Sequence, residues 1–389
     1  MATETAPAQP AVLPPLPPAA PSRLGILPPW ITGRRIATVV GAVLLVLFPF
    51  LPGVDAFWLS TAAFIVILSI GALGLNVLTG LTGQVSLGHA FFLGIGAYTA
   101  GILGGDHHVM ALWWILAAGI VAAICGLIIG PTALRLRGLY LAIVTIGIVF
   151  IGQHIFNNVK SLSGGPPGRA FPLPQFGFNF TCPAEGCALN FGQDQNIAGV
   201  TIDKNGMYYY LGLICLVLGM LFVRNLLRTR PGRALQAVRE RELAASLMGV
   251  DLARWKVSAF VISSFLAGVS GALLASLISY IQPGYWDLVL SIEFVAAVIV
   301  GGVGTLWGPL LGSIVIFGLE PVMQKYAASL PFLAHGGGGG GVPISSATHI
   351  FYGLCIVLFL VLEPLGVIGL ARRTGRLFQR RRSAAPSAA

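Results

Sequence analysis

The sequence predicts an all-α, polytopic membrane protein with about ten transmembrane helices and both termini in the cytoplasm. Composition carries the first part of this prediction: 56% of the 389 residues are hydrophobic and only 9% are charged. The mean hydropathy is +0.86. An ordinary soluble domain carries about 25% charged residues. The chain is therefore expected to be an integral membrane protein.

Ten apolar runs have roughly the 20 residues that a helix needs to cross a bilayer. The third and the eighth runs are the two that the sequence supports least. The runs lie at 36–52, 57–79, 84–104, 111–130, 138–157, 207–227, 257–281, 288–303, 309–328 and 348–370.

The positions of lysine and arginine predict the orientation, because positively charged loops stay in the cytoplasm. With the N-terminus inside, nineteen of the 23 basic residues fall on the inner side and four on the outer side. An even number of spans follows. The net charge of +10 then reflects topology and contact with anionic lipid, so nucleic-acid binding is not needed to explain it.

The chain divides into a membrane domain at 34–370 and two cytoplasmic tails. Residues 1–33 are rich in Pro and Ala. They lack the basic start and apolar core of a signal peptide, so a disordered tail is expected. Residues 371–389 form a basic tail, and the Gly336–Gly341 run has the composition of a flexible linker.

The longest outer segment is an extracytoplasmic loop at 158–206. Cys182 and Cys187 lie in this loop, where an oxidising compartment permits a disulfide between them. A metal site is the alternative, but no His partners lie nearby, and no metal is predicted.

A cytoplasmic loop at 228–256 is the most distinctive segment. Eleven charged residues fall between Arg224 and Lys256. Pro231 in a first turn and Gly249 at a stop position predict one or two short exposed helices. We expect such helices to present a charged surface with small apolar positions to a partner, unless this is an ordinary loop that is basic only because cytoplasmic loops are. The small apolar positions are Leu235, Val238, Ala244, Ala245 and Met248.

Motifs of catalysis are not found. The segment 301–309 is glycine-rich but has no Gly-Lys-Ser/Thr to hold phosphates. Its glycines join two predicted spans and follow no strand, so a dinucleotide fingerprint also fails. A non-enzyme without a cofactor of its own is predicted.

Polar residues inside the spans are informative, because each costs a few kcal/mol at the bilayer centre unless it faces a cavity or a partner. Four of them surround a glycine-rich segment that predicts a discontinuous helix or a re-entrant turn lining a path. The glycines of this segment would equally allow close helix packing. The four polar residues are Asn76, Gln84, Ser86 and His89; the glycines are Gly88, Gly94, Gly96 and Gly101.

Glu293 and His154 are further intramembrane candidates, and Glu320 lies near an outer helix end. A lone Glu such as Glu293 is either a proton relay or a side chain that bonds to a neighbouring helix.

Four segments, in this order, resemble the permeases of high-affinity branched-chain amino acid ABC importers, specifically the M-type subunit. The resemblance covers about residues 60–320. The segments are GQVSLGHAFFLGIGAYTA at 83–100, LRLRGLYLAIVT at 134–145, TRPGRALQAVRE at 229–240, and SIEF at 291–294 followed by GGVGTLWGP at 301–309.

This resemblance implies a transporter in the bacterial plasma membrane, the inner membrane, built with an H-type permease, two cytosolic ABC ATPases and an extracytoplasmic substrate-binding protein. ATP would be bound by the ATPases. The loop at 228–256 would be the coupling element that docks in an ATPase groove. The positions carried over for this role are Arg233, Glu240, Glu242 and Gly249. The candidates for the translocation path are Asn76, Gln84, Ser86, His89, Tyr98 and Glu293.

The sequence is also compatible with three other functions. Related permeases import urea or short-chain amides. A self-contained, ion-coupled secondary transporter would use Glu293 and His89 as coupling sites. A non-transporting scaffold would leave the charged loop unexplained. The Pro-rich N-terminus, the Cys-containing outer loop and the glycine run depart from the pattern of the family.

Overall fold

The computed structural model describes most of the membrane domain. The described residues are 41, 44–132, 138–171, 174–176, 189–190, 195–197, 200–326, 349–354, 357–358, 366–367 and 369. The chain forms two compact units, residues 1–51 and residues 52–389. The described part of the first unit contains a short 3₁₀ helix, Phe48–Phe50. Everything below concerns the second unit.

The described part of the second unit is mostly helical. Its helices are α1 (Ala56–Thr82), α2 (His89–Ala100), α3 (Ala111–Ile129), α4 (Leu139–Asn158), α5 (Lys160–Ser163), α6 (Lys204–Arg228), α7 (Arg230–Glu240), α8 (Glu242–Leu247), α9 (Leu252–Ile278), α10 (Leu288–Gly301) and α11 (Gly308–Tyr326). A π-helical turn, Gly101–Asp106, extends α2, and a 3₁₀ turn, Pro283–Tyr285, precedes α10.

Six short strands join these helices. They are β1 (Arg169–Ala170), β2 (Gln175–Phe176), β3 (Leu189–Asn190), β4 (Gln195–Ile197), β5 (Val200–Ile202) and β6 (Tyr280–Ile281). They pair antiparallel as β1 with β6, β2 with β3 and β4 with β5. The sequence analysis missed them because two or three residues carry no readable alternation, and such short pairs depend on their surroundings.

Within the described residues, six helical segments are long and apolar enough to cross a bilayer. The helical, membrane-spanning class is thus confirmed, while ten spans and the orientation stay predictions. Helix α2 has only 12 residues and, like α11, is not among the six. The six segments are Ala56–Thr82, Ala111–Ile129, Tyr140–Asn158, Lys204–Arg228, Leu252–Ile278 and Pro283–Gly301.

Several predictions fall outside the described residues. These are both terminal tails, the Gly336–Gly341 run, the Cys182 and Cys187 pair, and parts of the runs at 36–52 and 348–370.

Helices α1 and α9 form the centre of the bundle. Of their most apolar stretches, 83% and 72% of the residues are buried, against 33% in α3, α4 and α6. Helix α1 packs on α6, α9, α10 and α11, and α9 packs on α1, α2 and α3. A helix that is apolar all round belongs in the interior, and these two meet that description.

Close approach of backbones holds α2 against α9. A Cβ placed on Gly96 would lie 2.1 Å from the carbonyl oxygen of Gly268, and one on Gly271 would lie 2.0 Å from that of Leu93. Small residues at helix crossings permit such contact inside a membrane. The packing role that the sequence allowed for the glycines of α2 is therefore present.

Hydrogen bonds across the bundle fix the central helices to each other. Ser270 Oγ of α9 donates to the carbonyl of Ile67 in α1 over 2.8 Å, and Tyr208 Oη of α6 donates to the carbonyl of Ser276 over 2.9 Å. Each such bond contributes about 0.6 kcal/mol on average in a membrane protein.

At the end of the bundle predicted to be extracytoplasmic, the start of the loop at 158–206 contacts neighbouring elements. Strand β1 pairs with β6, the extension of α9, with Arg169 opposite Ile281. The guanidinium of Arg169 also forms an ion pair of 2.5 Å with Asp106, at the end of the π-helical turn. The start of this loop is thus anchored to α2 and α9.

Candidate functional site

The predicted discontinuous helix is present between α1 and α2. Helix α1 ends at Thr82, and Gly83 follows in the left-handed region with φ of 72°. Such a φ is open to glycine without steric cost. Residues 83–88 are not helical, and α2 begins at His89. We call residues 83–88 the first break.

Three neighbouring helices hold the first break in place. The backbone N–H of Leu87 donates to Thr145 Oγ1 of α4 over 2.9 Å. The backbone N–H of Ala90 donates to Ser291 Oγ of α10 over 3.0 Å. His89 Nε2 lies 2.9 Å from the carbonyl oxygen of Gly71 in α1. A carbonyl oxygen only accepts, so this ring nitrogen carries the proton.

Gln84 and Ser86 both lie within the first break, and both are buried. Ser86 Oγ accepts from the backbone N–H of Gly88 over 3.3 Å. Neither polar atom of the Gln84 amide has a hydrogen-bond partner among the residues that the structure describes. Buried side-chain amides are rarely left in this state, so Gln84 is a path candidate with capacity for a further partner.

Asn76 and Tyr98 lie apart from this group. The Asn76 amide binds the segment between α10 and α11: Nδ2 donates to the carbonyl of Thr305 over 2.9 Å, and Oδ1 accepts from the N–H of Gly304 over 2.8 Å. Tyr98 is fully buried, with its ring centroid 4.8 Å from that of Phe156. The Asn76 amide thus braces that segment, whereas Tyr98 packs through its ring and its hydroxyl has no hydrogen-bond partner among the described residues.

Glu293 lies at a cavity of about 330 Å³ between α1, α9, α10 and α11. The lining is mainly apolar and aromatic, with four ionisable residues: Asp287, Glu293, Glu320 and His349. Phe317 also lines the cavity, and its ring packs edge to face on Phe294 at 5.0 Å.

Phe294 in turn contacts the His89 ring at 4.9 Å. Two phenylalanine rings, packed edge to face, therefore lie between His89 at the start of α2 and the cavity. His154, the remaining intramembrane candidate, lies exposed on α4 beside Asn158, whose Nδ2 donates to the His154 carbonyl.

The loop at 228–256, which is predicted to be cytoplasmic, folds into two short helices, as expected. Pro231 lies in the first turn of α7. Helix α8 ends at Leu247, and Gly249 follows with a left-handed φ of 81°. Between the two helices, Arg241 is extended, with φ of −154° and ψ of 105°. The chain therefore turns sharply at Arg241, and α8 does not continue the face of α7.

This turn corrects one prediction. Leu235, Val238 and Ala245 are buried against the chain itself, so they are not presented to a partner. Among the positions predicted to face outward, Ala244 and Met248 are exposed. One or two exposed helices were predicted from Pro231 and Gly249, but the sequence did not show that the apolar side of α7 packs on the bundle.

Of the three largest exposed apolar side chains of the loop, Met248 was predicted to face outward, whereas Leu243 and Leu247 were not. Leu243 is 74% exposed, Leu247 is 87% exposed and Met248 is 85% exposed. We call these three residues the α8 ridge. A period of four residues between Leu243 and Leu247 is the signal that would have revealed a second helical face.

The four predicted coupling residues have different surroundings. Arg233, Glu240 and Gly249 are exposed. Glu242 instead forms an ion pair of 2.6 Å with Lys256 of α9, and Lys256 is only 4% exposed. Glu242 therefore anchors α8 to the bundle.

Arg239 is a further residue that sequence reasoning missed. Its Nη1 donates to the carbonyl of Gly80 in α1 over 2.5 Å. Neither this contact nor the pairing of Lys256 has a local sequence signal, because the partners lie 159 and 14 positions away along the chain.

No group of three or more potential metal ligands occurs within the described ranges. Membrane-length helices, a helix broken inside the bundle and an exposed pair of charged helices together define a polytopic transport permease.

The chain belongs to the family described as branched-chain amino acid transport system / permease component, and the family model matches residues 57–361. It is 31% identical over 343 residues to the high-affinity branched-chain amino acid transport system permease protein LivM of Escherichia coli (strain K12), which covers 87% of this chain and 76% of that protein.

Two further comparisons agree. LivM of Salmonella typhimurium (strain LT2) is 31% identical over 337 residues, covering 85% of this chain and 74% of the relative. LivH of Escherichia coli (strain K12) is 25% identical over 308 residues, covering 77% of this chain and 90% of the relative. The resemblance to the M-type permeases is thereby confirmed. No solved structure matches the chain.

Proposed function

We propose that this chain is the M-type permease subunit of an ATP-driven importer that carries branched-chain amino acids across the bacterial plasma membrane. It works with an H-type permease, two cytosolic ATPases and an extracytoplasmic binding protein. ATP is bound and hydrolysed by the ATPases. Family membership supports the substrate class, and the α8 ridge is the structural observation that carries the subunit role.

The α8 ridge supports docking on a protein partner. Leu243, Leu247 and Met248 expose large apolar side chains in a loop that is otherwise charged. Exposed apolar patches rimmed by polar residues mark protein interaction sites. The neighbouring Arg233 and Glu240 are exposed and provide the polar rim. We therefore place the ATPase groove over α8, with Gly249 allowing the chain to turn away from it.

The first break and the cavity support the path. Gln84 offers an amide that has no partner among the described residues, and Ser86 and His89 lie beside it. The mainly apolar cavity at Glu293 has a size suited to a small molecule and adds a few polar groups that can orient it. We propose that the rings of Phe294 and Phe317 separate these two compartments until the helices move.

The test is uptake of labelled leucine into proteoliposomes that contain this chain with its three kinds of partner. We expect uptake only when ATP and all components are present. Uptake by this chain alone, driven by an ion gradient, would refute the proposal in favour of a secondary transporter. Uptake of urea in place of leucine would retain the ABC mechanism and refute the substrate class.

Docking is tested by Leu247→Asp, which places a charge on the α8 ridge. We expect the ATPase to be lost from the purified complex, while the permease itself remains folded. This variant is cleaner than a charge reversal at Glu242, because that change would leave Lys256 buried without its partner. Normal ATPase retention by Leu247→Asp would exclude the ridge as the docking surface.

A further inference from the structure

Arg239 connects α7 to the end of α1. Its Nη1 donates to the carbonyl oxygen of Gly80 over 2.5 Å, within the last turn of α1. Carbonyl groups at a helix C-terminus carry a partial negative charge, so an arginine is favourable there. The first break begins three residues further on, at Gly83. A Cβ built on Gly83 would lie 3.6 Å from Cγ of Arg239.

The same guanidinium touches a second interruption, the non-helical residues between α10 and α11. Gly304 lies in this segment, with φ of 79°. A Cβ on Gly304 would lie 2.6 Å from Arg239 Nη1 and 3.0 Å from the carbonyl oxygen of Gly80. Two backbones, that of α1 at Gly80 and that of Gly304, therefore meet at one guanidinium, and a side chain at Gly304 would crowd both. We call residues 302–307 the second break.

Asn76 closes this junction from the side of α1. Its amide binds both Gly304 and Thr305, as described above. A Cβ on Gly80 would lie 2.5 Å from Asn76 Oδ1 and 2.6 Å from the backbone nitrogen of Gly304. The second break is thus bound to α1 through two hydrogen bonds and contacts α7 through Arg239.

This arrangement gives α7 contact with both breaks. Only Arg241 separates α7 from α8, the helix that carries the ridge. The buried side chains of Leu235 and Val238 hold α7 against the bundle. A displacement of α7 would pull or release Gly80, and with it the last turn of α1 before the first break. The Asn76 amide would carry the same displacement to the second break.

We propose that Arg239 is a positioning residue that transmits movement of α7 and α8 to the two helix breaks, so that ATP hydrolysis drives transport. This inference rests on the proposed docking of an ATPase at α8. It predicts that loss of Arg239 uncouples the transporter: the ATPases continue to hydrolyse ATP, but less substrate is moved for each ATP.

The experiment uses the complete transporter in proteoliposomes, with leucine uptake and ATP hydrolysis measured in the same preparation. For Arg239→Ala we expect the leucine transported per ATP to fall roughly 2- to 30-fold, the range seen when coupling contacts are mutated. Arg239→Lys keeps a donor and a positive charge, so it should recover part of the ratio. Arg224→Ala, an exposed arginine on α6, is the matched control and should leave the ratio unchanged.

A merely structural role for Arg239 would lower uptake and hydrolysis in proportion and leave their ratio unchanged, which would overturn the inference. If the complex with Arg239→Ala does not assemble, Gly80→Ala is the variant that tests the inference. Its methyl group displaces Gly304 without removing a charge. Gly147→Ala is its control, since a Cβ there meets nothing within 4 Å. A lower ratio for Gly80→Ala supports the inference; an unchanged ratio, or failure of both variants to assemble, refutes it.

The two proposals fail in different ways. If the wild-type complex takes up no leucine with ATP, the proposed function is wrong. If the wild type is coupled and Arg239→Ala is coupled equally well, only the role of Arg239 is wrong.

Discussion

Helices α7 and α8 are neighbours in the chain, but they have opposite relations to the rest of the molecule. Helix α7 buries Leu235 and Val238 almost completely and bonds to α1 through Arg239. Helix α8 buries Ala245 and turns the α8 ridge to the surface. The ion pair between Glu242 and Lys256 fastens it to α9.

This difference distinguishes the part of a charged loop that packs on its own bundle from the part that exposes apolar side chains, which we propose bind a partner. An amphipathic helix buries its apolar side wherever it finds a surface. For α7 that surface is the bundle. In α8 only Ala245 is buried, so most of its apolar side chains are exposed, as the proposed docking of an ATPase requires. Mutation of the residues that pack α7 or anchor α8 should therefore mainly lower the stability of the permease. Mutation of the α8 ridge should mainly weaken ATPase binding.

Removal of the charge on Glu242 should give the largest effect. Glu242→Gln leaves Lys256, which is 4% exposed, without its counter-ion. Breaking a buried ion pair from one side typically costs about 3–5 kcal/mol. We expect a strongly lowered thermal midpoint of the purified permease, measured by loss of monodisperse protein on heating.

The double variant Glu242→Leu/Lys256→Met is the control for this prediction. Replacement of both charges by apolar groups of similar size is often neutral or stabilising, so it should recover most of the lost stability. A single variant as stable as the wild type, or a double variant no better than the single one, would show that the pair does not anchor α8.

A matched pair of leucines separates the two helices most clearly. Leu235→Ala removes a side chain that is 1% exposed and should lower the free energy of unfolding by about 2–5 kcal/mol. Leu247→Ala removes one that is 87% exposed and should change it by less than about 0.5 kcal/mol. Thermal midpoints of the two purified variants provide the comparison.

For ATPase affinity we expect the reverse order, with a larger loss in Leu247→Ala than in Leu235→Ala. Truncation of an anchor side chain at an interface typically costs more than about 1 kcal/mol, which corresponds to a roughly fivefold rise in Kd. Titration of the ATPase onto immobilised permease measures this. Equal loss of stability in both variants would mean that the α8 ridge is part of the core.

The smallest loss of stability should come from removal of the side chain that caps the N-terminus of α9, the helix that carries Lys256. Asp251 caps α9 by accepting a hydrogen bond from the backbone N–H of Arg254 over 3.1 Å. Its removal in Asp251→Ala should cost about 1 kcal/mol. We expect a small fall in thermal midpoint and no change in ATPase affinity.

Asp203→Ala is the matched control, because Asp203 holds the same position before α6 but its side chain makes no capping hydrogen bond. Equal losses for the two aspartate variants would show that the cap of α9 contributes nothing.

Much of the bundle follows from the sequence, because a membrane helix has a strong and local signature. The starts and ends of α1, α3, α4, α6 and α9 fall within a few residues of the predicted runs, and the first break was marked by Gly83 and the polar residues after it. The two helices of the loop at 228–256 were marked by Pro231 and Gly249.

Contacts between distant segments could not be predicted. The sequence shows that Asn76 and Glu293 are polar within apolar runs, but it does not show that Asn76 binds Thr305 while Glu293 faces a cavity. The pairing of Lys256 and the reach of Arg239 depend on where α7 and α9 come together in the fold. The extended conformation of Arg241 separates α7 from α8, and the sequence did not show that Ala245 is buried while Leu243 and Leu247 are exposed.

Cysteine accessibility tests the division between α7 and α8 most directly. In a background in which the five native cysteines are replaced, Leu247→Cys and Leu235→Cys are treated with a membrane-impermeant maleimide, with and without the ATPases. We predict that Leu247→Cys is labelled in the permease alone and protected in the complex, while Leu235→Cys is unlabelled in both. Equal labelling of Leu247→Cys with and without the ATPases would contradict the account.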